Sequence, residues 1–305
     1  MFVSGLLYLF YHNKPDYTST FFELDTIVSV RSDTDCREEI KVLVKKLSSV
    51  LDNYDENSEI SSLNSSGKMI CSDDLTDFLK NVESLNSKFG YSTDISSGNL
   101  NRLWKTSLES GKIPDFSEIS RFLENSAQKN IFITGNLVEL KNGVSIDTGA
   151  VAKGYILDRI YSQCINPDSR YTIVSTGSTT LLYSADSSRI FNCAVKSDCS
   201  GIAGTAEVTS CFVSTSGDYE RFTEINGVKY HHIIDMKTGY PSDTGLSSVT
   251  VFCDSGIMSD FLSTLIFTEG KENLGRYLDS DDFRIIAIDK QGNIYRSPSL
   301  IFHES

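Results

Sequence analysis

Apolar positions recur along this chain with two different periods, and the switches between them mark its elements. The run FFELDTIVSVR (Phe21 to Arg31) predicts a strand. After the acidic, polar stretch Asp33–Glu39, Ile40, Leu43, Val44, Leu47 and Leu51 recur at helical spacing. The polar stretch Asn53–Lys68 reads as a loop. Ser72 is placed to cap a second helix with apolar Leu75, Phe78, Leu79, Val82 and Leu85. Gly90–Gly98, rich in Gly, Ser and Thr, separates it from Leu100–Trp104, and Pro114 and Asp115 open a short helix ending near Asn125.

Strand patterns dominate the remainder. Ile131–Thr134 and Leu137–Leu140 flank Gly135–Asn136, a two-residue hairpin signal. Gly143–Ile146 reads as a strand running into a glycine-containing helix from Thr148 to about Tyr161. Strand-like runs follow at Tyr171–Val174, Ile190–Val195, Ala206–Ser214, Tyr230–Ile234 and Ser247–Cys253. A helix over Ser255–Phe267 interrupts them, and a hairpin of Phe283–Asp289 with Asn293–Arg296 ends the series. Strands and helices in runs, with repeated hairpins, predict an α+β fold with mixed or antiparallel sheets and packed helices. Residues 1–20 read as an N-terminal extension and 21–305 as a single domain, with no solenoid repeat and no linker.

Composition narrows the function. The 305 residues carry 28 Lys+Arg against 41 Asp+Glu, a net charge of −13. That acidity argues against nucleic acid as the partner, because phosphate backbones need clustered Lys and Arg. A phosphate-bearing ligand would need a cation in between. The seven cysteines (Cys36, Cys71, Cys164, Cys193, Cys199, Cys211, Cys253) form no CxxC pair, which argues against a structural zinc site or an Fe–S cluster and leaves disulfides open. Phe2–Tyr11 is apolar but too short to span a bilayer, and reads either as the stub of a trimmed signal or anchor or as an edge strand.

Three segments carry candidate chemistry. In SIDTGAVAKGYILDR (Ser145–Arg159) a strand ending at Asp147 would meet a helix at once, and the free N–H groups of that helix mouth attract anions, with Lys153 adding charge. An ordinary Asp N-cap with a surface Lys explains the same residues. In SGIMSDFLSTLIF (Ser255–Phe267), Met258, Phe261, Leu262, Leu265 and Ile266 share one face, while Asp260, Ser263 and Thr264 share the opposite one. Short oxygen donors on a rigid helix suit a hard cation such as Mg²⁺. A polar face packed against a strand fits equally well. In the third segment, Val213–Pro241, the Thr215-Ser216-Gly217-Asp218 turn offers small donors, and Asn226-Gly227 delivers His231 and His232 onto a strand where only one can face a given pocket.

Taken in order, the pieces LDT (Leu24–Thr26), NYDENSEISSLN (Asn53–Asn64), GYSTDISSGNLNRLW (Gly90–Trp104), IDTGAVAKGYILD (Ile146–Asp158), TSGDYER (Thr215–Arg221), HIIDMKTGYP (His232–Pro241) and SVTVFCDSGIMSDFLSTLIF (Ser248–Phe267) resemble the ApbE family of FAD:protein FMN transferases, Mg²⁺-using flavin-trafficking proteins. The resemblance covers roughly residues 21 to 300. It implies an ApbE-like, T-fold-related architecture. It also implies metal ligands at Asp260 and Thr264, with Ser263 at a neighbouring ligand position and the main-chain carbonyl of Ala150 as a further ligand. Leu24, Tyr54, Ser92, Thr93, Asp94, Asp147, Lys153, Thr215, Ser216, Gly217 and Ile234 would then bind FAD, and His232 would be the catalytic or acceptor-orienting residue.

The implied reaction transfers FMN from FAD to a Ser or Thr hydroxyl of an acceptor flavoprotein and releases AMP. Hydrolysis of FAD to FMN and AMP, or FAD binding without catalysis, are the alternatives. Four positions depart from the family pattern: Thr148 where Gly is common, Met236 for the usual Pro, and Ser178 and Thr179 near a Gly-Gly pair. STGSTT (Ser175–Thr180) loosely echoes the acceptor motif and reads more simply as a loop. The family's habit in bacteria leaves export and a membrane tether open beside a cytoplasmic location.

Overall fold

The computed structural model describes residues 16–90, 95–126, 128–198 and 201–305. From the N-terminus, β1 (Tyr17–Glu23) and β2 (Thr26–Ser32) precede α1 (Arg37–Leu51), α2 (Glu59–Ser66), β3 (Lys68–Ile70) and α3 (Asp73–Phe89). Next come α4 (Gly98–Glu109), α5 (Phe116–Asn125), β4 (Ile131–Thr134), β5 (Leu137–Leu140) and α6 (Ala152–Cys164). The strands β6 (Thr172–Thr176), β7 (Thr179–Tyr183), β8 (Phe191–Ser197), β9 (Gly201–Val208) and β10 (Cys211–Gly217) follow. The chain ends through β11 (Phe222–Ile225), β12 (Val228–His231), β13 (Leu246–Cys253), α7 (Gly256–Glu269), β14 (Phe283–Asp289), β15 (Ile294–Arg296) and β16 (Ile301–Glu304). The α+β expectation holds.

The chain divides into two compact units. The first (residues 1–46, 151–217 and 244–305) is built on an antiparallel eight-stranded sheet in the order β1-β2-β6-β7-β10-β13-β14-β15. Alternation along its strands sorts residues to two faces. Ile173, Leu182, Val213, Phe252, Ile286 and Ile288 point to one side, where a core forms with the small sheet β16-β9-β8 through Phe191, Val195 and Ala206. Their neighbours Thr179, Ser214 and Ser216 face the other way, toward α7. All eight residues of β13 are buried, as a strand covered on both faces requires.

The second unit (residues 47–150 and 218–243) holds α2 to α5, the sheet β3-β5-β4 and the hairpin β11–β12. Its core gathers Leu100, Trp104, Ile119 and Ile234. Trp104 donates its indole N–H to the Gly239 carbonyl at 2.7 Å and stacks on Tyr230.

Several boundaries differ from the sequence reading. Phe21–Arg31 is not one strand, because the chain reverses at Leu24–Asp25 with φ of +54° and +53°, a tight turn made without Gly or Asn. Asn53–Lys68 is not all loop. Ser58 caps α2 by accepting the Ser61 N–H, and Gly67 ends it in the left-handed conformation. Gly143–Ile146 makes only an isolated bridge, Ser97 to Ser145, and α6 starts at Ala152 rather than Thr148. Ala206–Ser214 is broken between β9 and β10, the Ser175–Thr180 loop is the β6–β7 hairpin, and β12 stops at His231. Among the described residues no cysteine pair forms a disulfide, and no helix is long and apolar enough to cross a membrane. Cys199 and most of the N-terminal extension lie outside the described residues.

Candidate functional site

The first unit centres on Asp260, which is 4% exposed. Its Oδ1 accepts the Thr179 hydroxyl at 2.8 Å and its Oδ2 the Gly154 N–H at 3.0 Å. Burial pushes the Asp260 carboxyl above the usual range, while the Lys153 charge and these two donors pull it back. One turn along α7, the Ser216 hydroxyl on β10 pairs with Ser263 at 2.9 Å and Thr264 at 3.1 Å. Ser263 also donates to the Asp260 carbonyl at 2.9 Å, so its hydroxyl is committed to the helix. The polar face of α7 therefore packs against strands, one of the two readings its pattern allows.

The side-chain partner of the Asp260 carboxylate is the Thr179 hydroxyl, and the other partner is the Gly154 backbone N–H. Among the described residues no group of three or more His, Cys, Asp or Glu is assembled. A buried carboxylate beside the half-buried Thr264 hydroxyl fits a hard divalent cation in chemistry. Such an ion would also hold the buried carboxyl ionised.

The sequence places an anion-attracting helix mouth at Asp147–Thr148, and the structure moves it. The first residue of α6 is Ala152, Val151 is its cap, and its third N–H, on Gly154, goes to Asp260. The mouth does attract an anion, and that anion is the chain's own carboxylate. Nor is Asp147 the N-cap, because its Oδ1 instead accepts the Gly149 N–H at 2.7 Å, closing a turn ahead of the helix.

The second unit contains a cleft of about 840 Å³, lined among others by Asn53, Tyr54, Asn101, Arg102, Lys105 and Asp147. Tyr54 is half exposed, and Lys105 Nζ lies 4.0 Å from its ring centroid. Asp147 Oδ2 accepts from Asn101 Nδ2 at 3.0 Å. Thr148 donates its hydroxyl to the Leu51 carbonyl and to Asn53 Oδ1, both at 2.7 Å, bonds that a glycine there would lack. Two of the residues read as FAD-binding, Tyr54 and Asp147, thus share one cleft.

The other candidates are scattered. Ile234 is buried in the Trp104 cluster. Thr215 spends its hydroxyl on Thr250 across the sheet at 2.9 Å. Leu24 sits in the β1–β2 turn, Gly217 ends β10, and Ala150 lies in the turn before α6. Ser92, Thr93 and Asp94 lie outside the described residues. His231 is buried, with Nε2 donating to the Ser242 carbonyl at 2.8 Å and Nδ1 accepting the Ile233 N–H at 3.3 Å. His232 is exposed, its Nδ1 facing the Arg221 carbonyl at 3.2 Å. Sequence reasoning missed Thr179 and Asp158. Burial and the Asp260 charge push the Asp158 carboxyl up, against hydrogen bonds from the start of α7.

These features define an α+β chain with a buried carboxylate centre in one unit and a polar cleft with an exposed tyrosine in the other. Residues 20–287 match the model of the ApbE family, and the chain belongs to that family of enzymes. It is 29% identical over 182 residues to the FAD:protein FMN transferase of Klebsiella pneumoniae, covering 59% of this chain and 57% of that one. With the FAD:protein FMN transferase of Treponema pallidum it shares 27% over 259 residues, covering 77% and 71%. The crystal structure of the ApbE protein from Thermotoga maritima superposes with a TM-score of 0.84 at 26% identity, over 93% of this chain and 98% of that one. The flavin transferase ApbE from Vibrio cholerae, at 21% identity and a TM-score of 0.77, has the same fold.

Proposed function

We propose that this protein transfers FMN from FAD to a Ser or Thr hydroxyl of an acceptor flavoprotein, with Mg²⁺ held by Asp260, Thr264 and the Ala150 carbonyl. Family membership supports the flavin chemistry, since its FAD:protein FMN transferase relatives carry that activity in their names. The metal part of the reading is carried by one observation, the burial of the Asp260 carboxylate between the Thr179 hydroxyl and the Gly154 N–H.

In this reading the acceptor hydroxyl attacks the FMN-side phosphorus of FAD. The new O–P bond forms as the bond to the AMP phosphate breaks, and AMP leaves with the electron pair. The hydroxyl proton needs a base. His232, donating Nδ1–H to Arg221, would carry its lone pair on Nε2, the tautomer that can take a proton. Tyr54, Asp147 and Lys153 would bind the dinucleotide. Bound Mg²⁺ would supply charge neutralisation at the pyrophosphate in addition to that of Lys153.

The test is incubation with FAD, Mg²⁺ and a peptide carrying a Ser/Thr flavinylation motif. In-gel flavin fluorescence on the peptide supports the transferase. Free FMN and AMP alone would make the protein a hydrolase, and intact FAD in a stoichiometric complex a binder. Asp260→Ala should abolish turnover, and undiminished turnover in that variant overturns the metal assignment.

A further inference from the structure

The first turn of α7 is held by a carboxylate from another helix. Asp158 on α6 accepts the Gly256 N–H at 2.6 Å on Oδ1, and on Oδ2 the Ile257 N–H at 2.8 Å and the Ser255 hydroxyl at 3.2 Å. Ser255, the N-cap, accepts the Met258 N–H at 3.3 Å. The N–H groups that a helix start leaves without intrahelical partners are thereby satisfied.

The arrangement is reciprocal. Asp260 on α7 accepts the N–H of Gly154, the third residue of α6. Each helix therefore lends a carboxylate to the N-terminus of the other, where open donors and the helix dipole favour negative charge. Gly154 and Asp158 are four apart, as are Gly256 and Asp260, so one face of each helix makes both contacts. Between the two bonds the backbones touch: a Cβ on Gly154 would lie 2.1 Å from the Gly256 carbonyl oxygen.

We propose that Asp158 is a positioning residue for Asp260 and Thr264, an inference that rests on the reading of those two as cation ligands. The Asp260 carboxylate takes its direction from two donors, Gly154 N–H on α6 and the Thr179 hydroxyl on β7. The glycine contact between the helices has no side chain to key their register. On the sheet side α7 is held by the bonds of Ser214 and Ser216 to Ser259, Ser263 and Thr264, and on the α6 side its first turn is held by the Asp158 clamp. Release of that clamp separates Asp260 from Gly154 and carries Thr264, one turn further on, with it. An asparagine at 158 would direct its NH₂ at one of three donors and so holds less of the clamp.

The test is Mg²⁺ titration of the 305-residue chain by calorimetry and by thermal shift. It uses the wild type, Asp158→Asn, Asp158→Ala, Asp158→Glu and Asp260→Ala. A control, Asp33→Asn, removes the charge and the acceptor oxygen that Arg170, in the loop before β6, uses, and should lower stability. Asp158→Asn and Asp158→Ala should raise the Mg²⁺ concentration for half-saturation about tenfold or more, the usual cost of losing an outer support of a metal ligand. Asp158→Glu should recover part of the loss, the control should leave half-saturation unchanged, and saturating Mg²⁺ should restore FMN transfer in the Asp158 variants. Asp158 variants that lose stability but bind Mg²⁺ like the control overturn the proposal, as does failure of all three to fold, since the carboxylate then serves the fold alone. Wild-type Mg²⁺ binding by Asp260→Ala would instead refute the underlying site, whatever the Asp158 variants do.

Discussion

Thr179 donates its hydroxyl proton to Asp260 Oδ1 at 2.8 Å, and the two side chains are 0% and 4% exposed. No water replaces that donor if it is removed, so the buried carboxylate would keep the Gly154 N–H and lose half of its charge-assisted pair. Thr179→Val preserves shape and deletes only the donor. The expected cost is about 1.5–3 kcal/mol, the range for a hydrogen bond to a charged group. Thr179→Ser should stay within about 1 kcal/mol of wild type. Urea melts of the three proteins decide the matter, and equal stability of Val and wild type would show that the bond contributes nothing.

The helix crossing at Gly154 makes a prediction whose sign is contested by two effects. Alanine is the better helix former by about 1 kcal/mol. Its methyl group would meet the Gly256 carbonyl, which is backbone and has nowhere to go. Overpacking of this kind costs about 1–3 kcal/mol and displaces the helices besides, so Gly154→Ala should be destabilised. A glycine with open space around it, Gly275, provides the comparison. Gly275→Ala should be neutral or slightly stabilising, and thermal melts that rank the two variants the other way round would show that the α6–α7 contact yields easily.

Asp289, wholly buried at the end of β14, gathers Lys271 Nζ at 2.8 Å, Asn293 N–H at 2.8 Å and Nδ2 at 2.9 Å, Gln291 N–H at 3.0 Å and the Tyr295 hydroxyl at 3.1 Å. Burial alone would raise this carboxyl, but Lys271 and Asn293 outweigh it and hold it well below the usual carboxylate range. A depressed carboxyl stabilises the fold fully above its unfolded value of about 3.9, and that stability is lost as pH falls toward the folded value. Asp289→Asn should therefore melt below wild type at pH 5–8, with the gap narrowing below about pH 4. A gap that widens on acidification would contradict the assignment. Lys271 works in the opposite direction: its raised value keeps its share of the pairing until strongly alkaline pH.

How much of this was legible beforehand depended on how local the cause was. Ser72 capping α3 and Asn226–Gly227 reversing the β11–β12 hairpin are short-range facts, and both appear where the residues predict them. The turn at Leu24–Asp25 is not announced locally because Leu24 disfavours positive φ, and it is imposed by the pairing of β1 with β2. The start of α6 was misplaced because Asp147 has the chemistry of an N-cap but closes its own turn instead. At the candidate centre, Asp260 and Thr264 were readable as an i, i+4 pair. Their supports were not, since Thr179 lies 81 positions before Asp260, and Asp158 reaches Gly256 across 98. Nothing in local spacing announces partners that only the packing of α6, α7 and the sheet brings together.

The adjacent histidines allow a structural role and a chemical one to be separated in a single pair of variants. His231 has both ring nitrogens bound by backbone, Nε2–H to Ser242 and Nδ1 from Ile233, inside the fold. Removing that ring strands two buried backbone groups, and His231→Ala should cost about 1–3 kcal/mol. His232 is exposed, and its ring contact to the Arg221 carbonyl is backed by a second one from its own N–H at 3.1 Å, which survives truncation. His232→Ala should therefore change stability by no more than about 0.5 kcal/mol. If His232 is the base in FMN transfer, the same variant should lose about 10²–10⁴-fold in rate, the usual worth of a positioned general base. Melting curves with FMN-transfer rates over a pH series separate the possibilities. A His232→Ala protein that transfers FMN at the wild-type rate would remove it from the chemistry. A variant that loses rate and stability together would make it a second structural histidine.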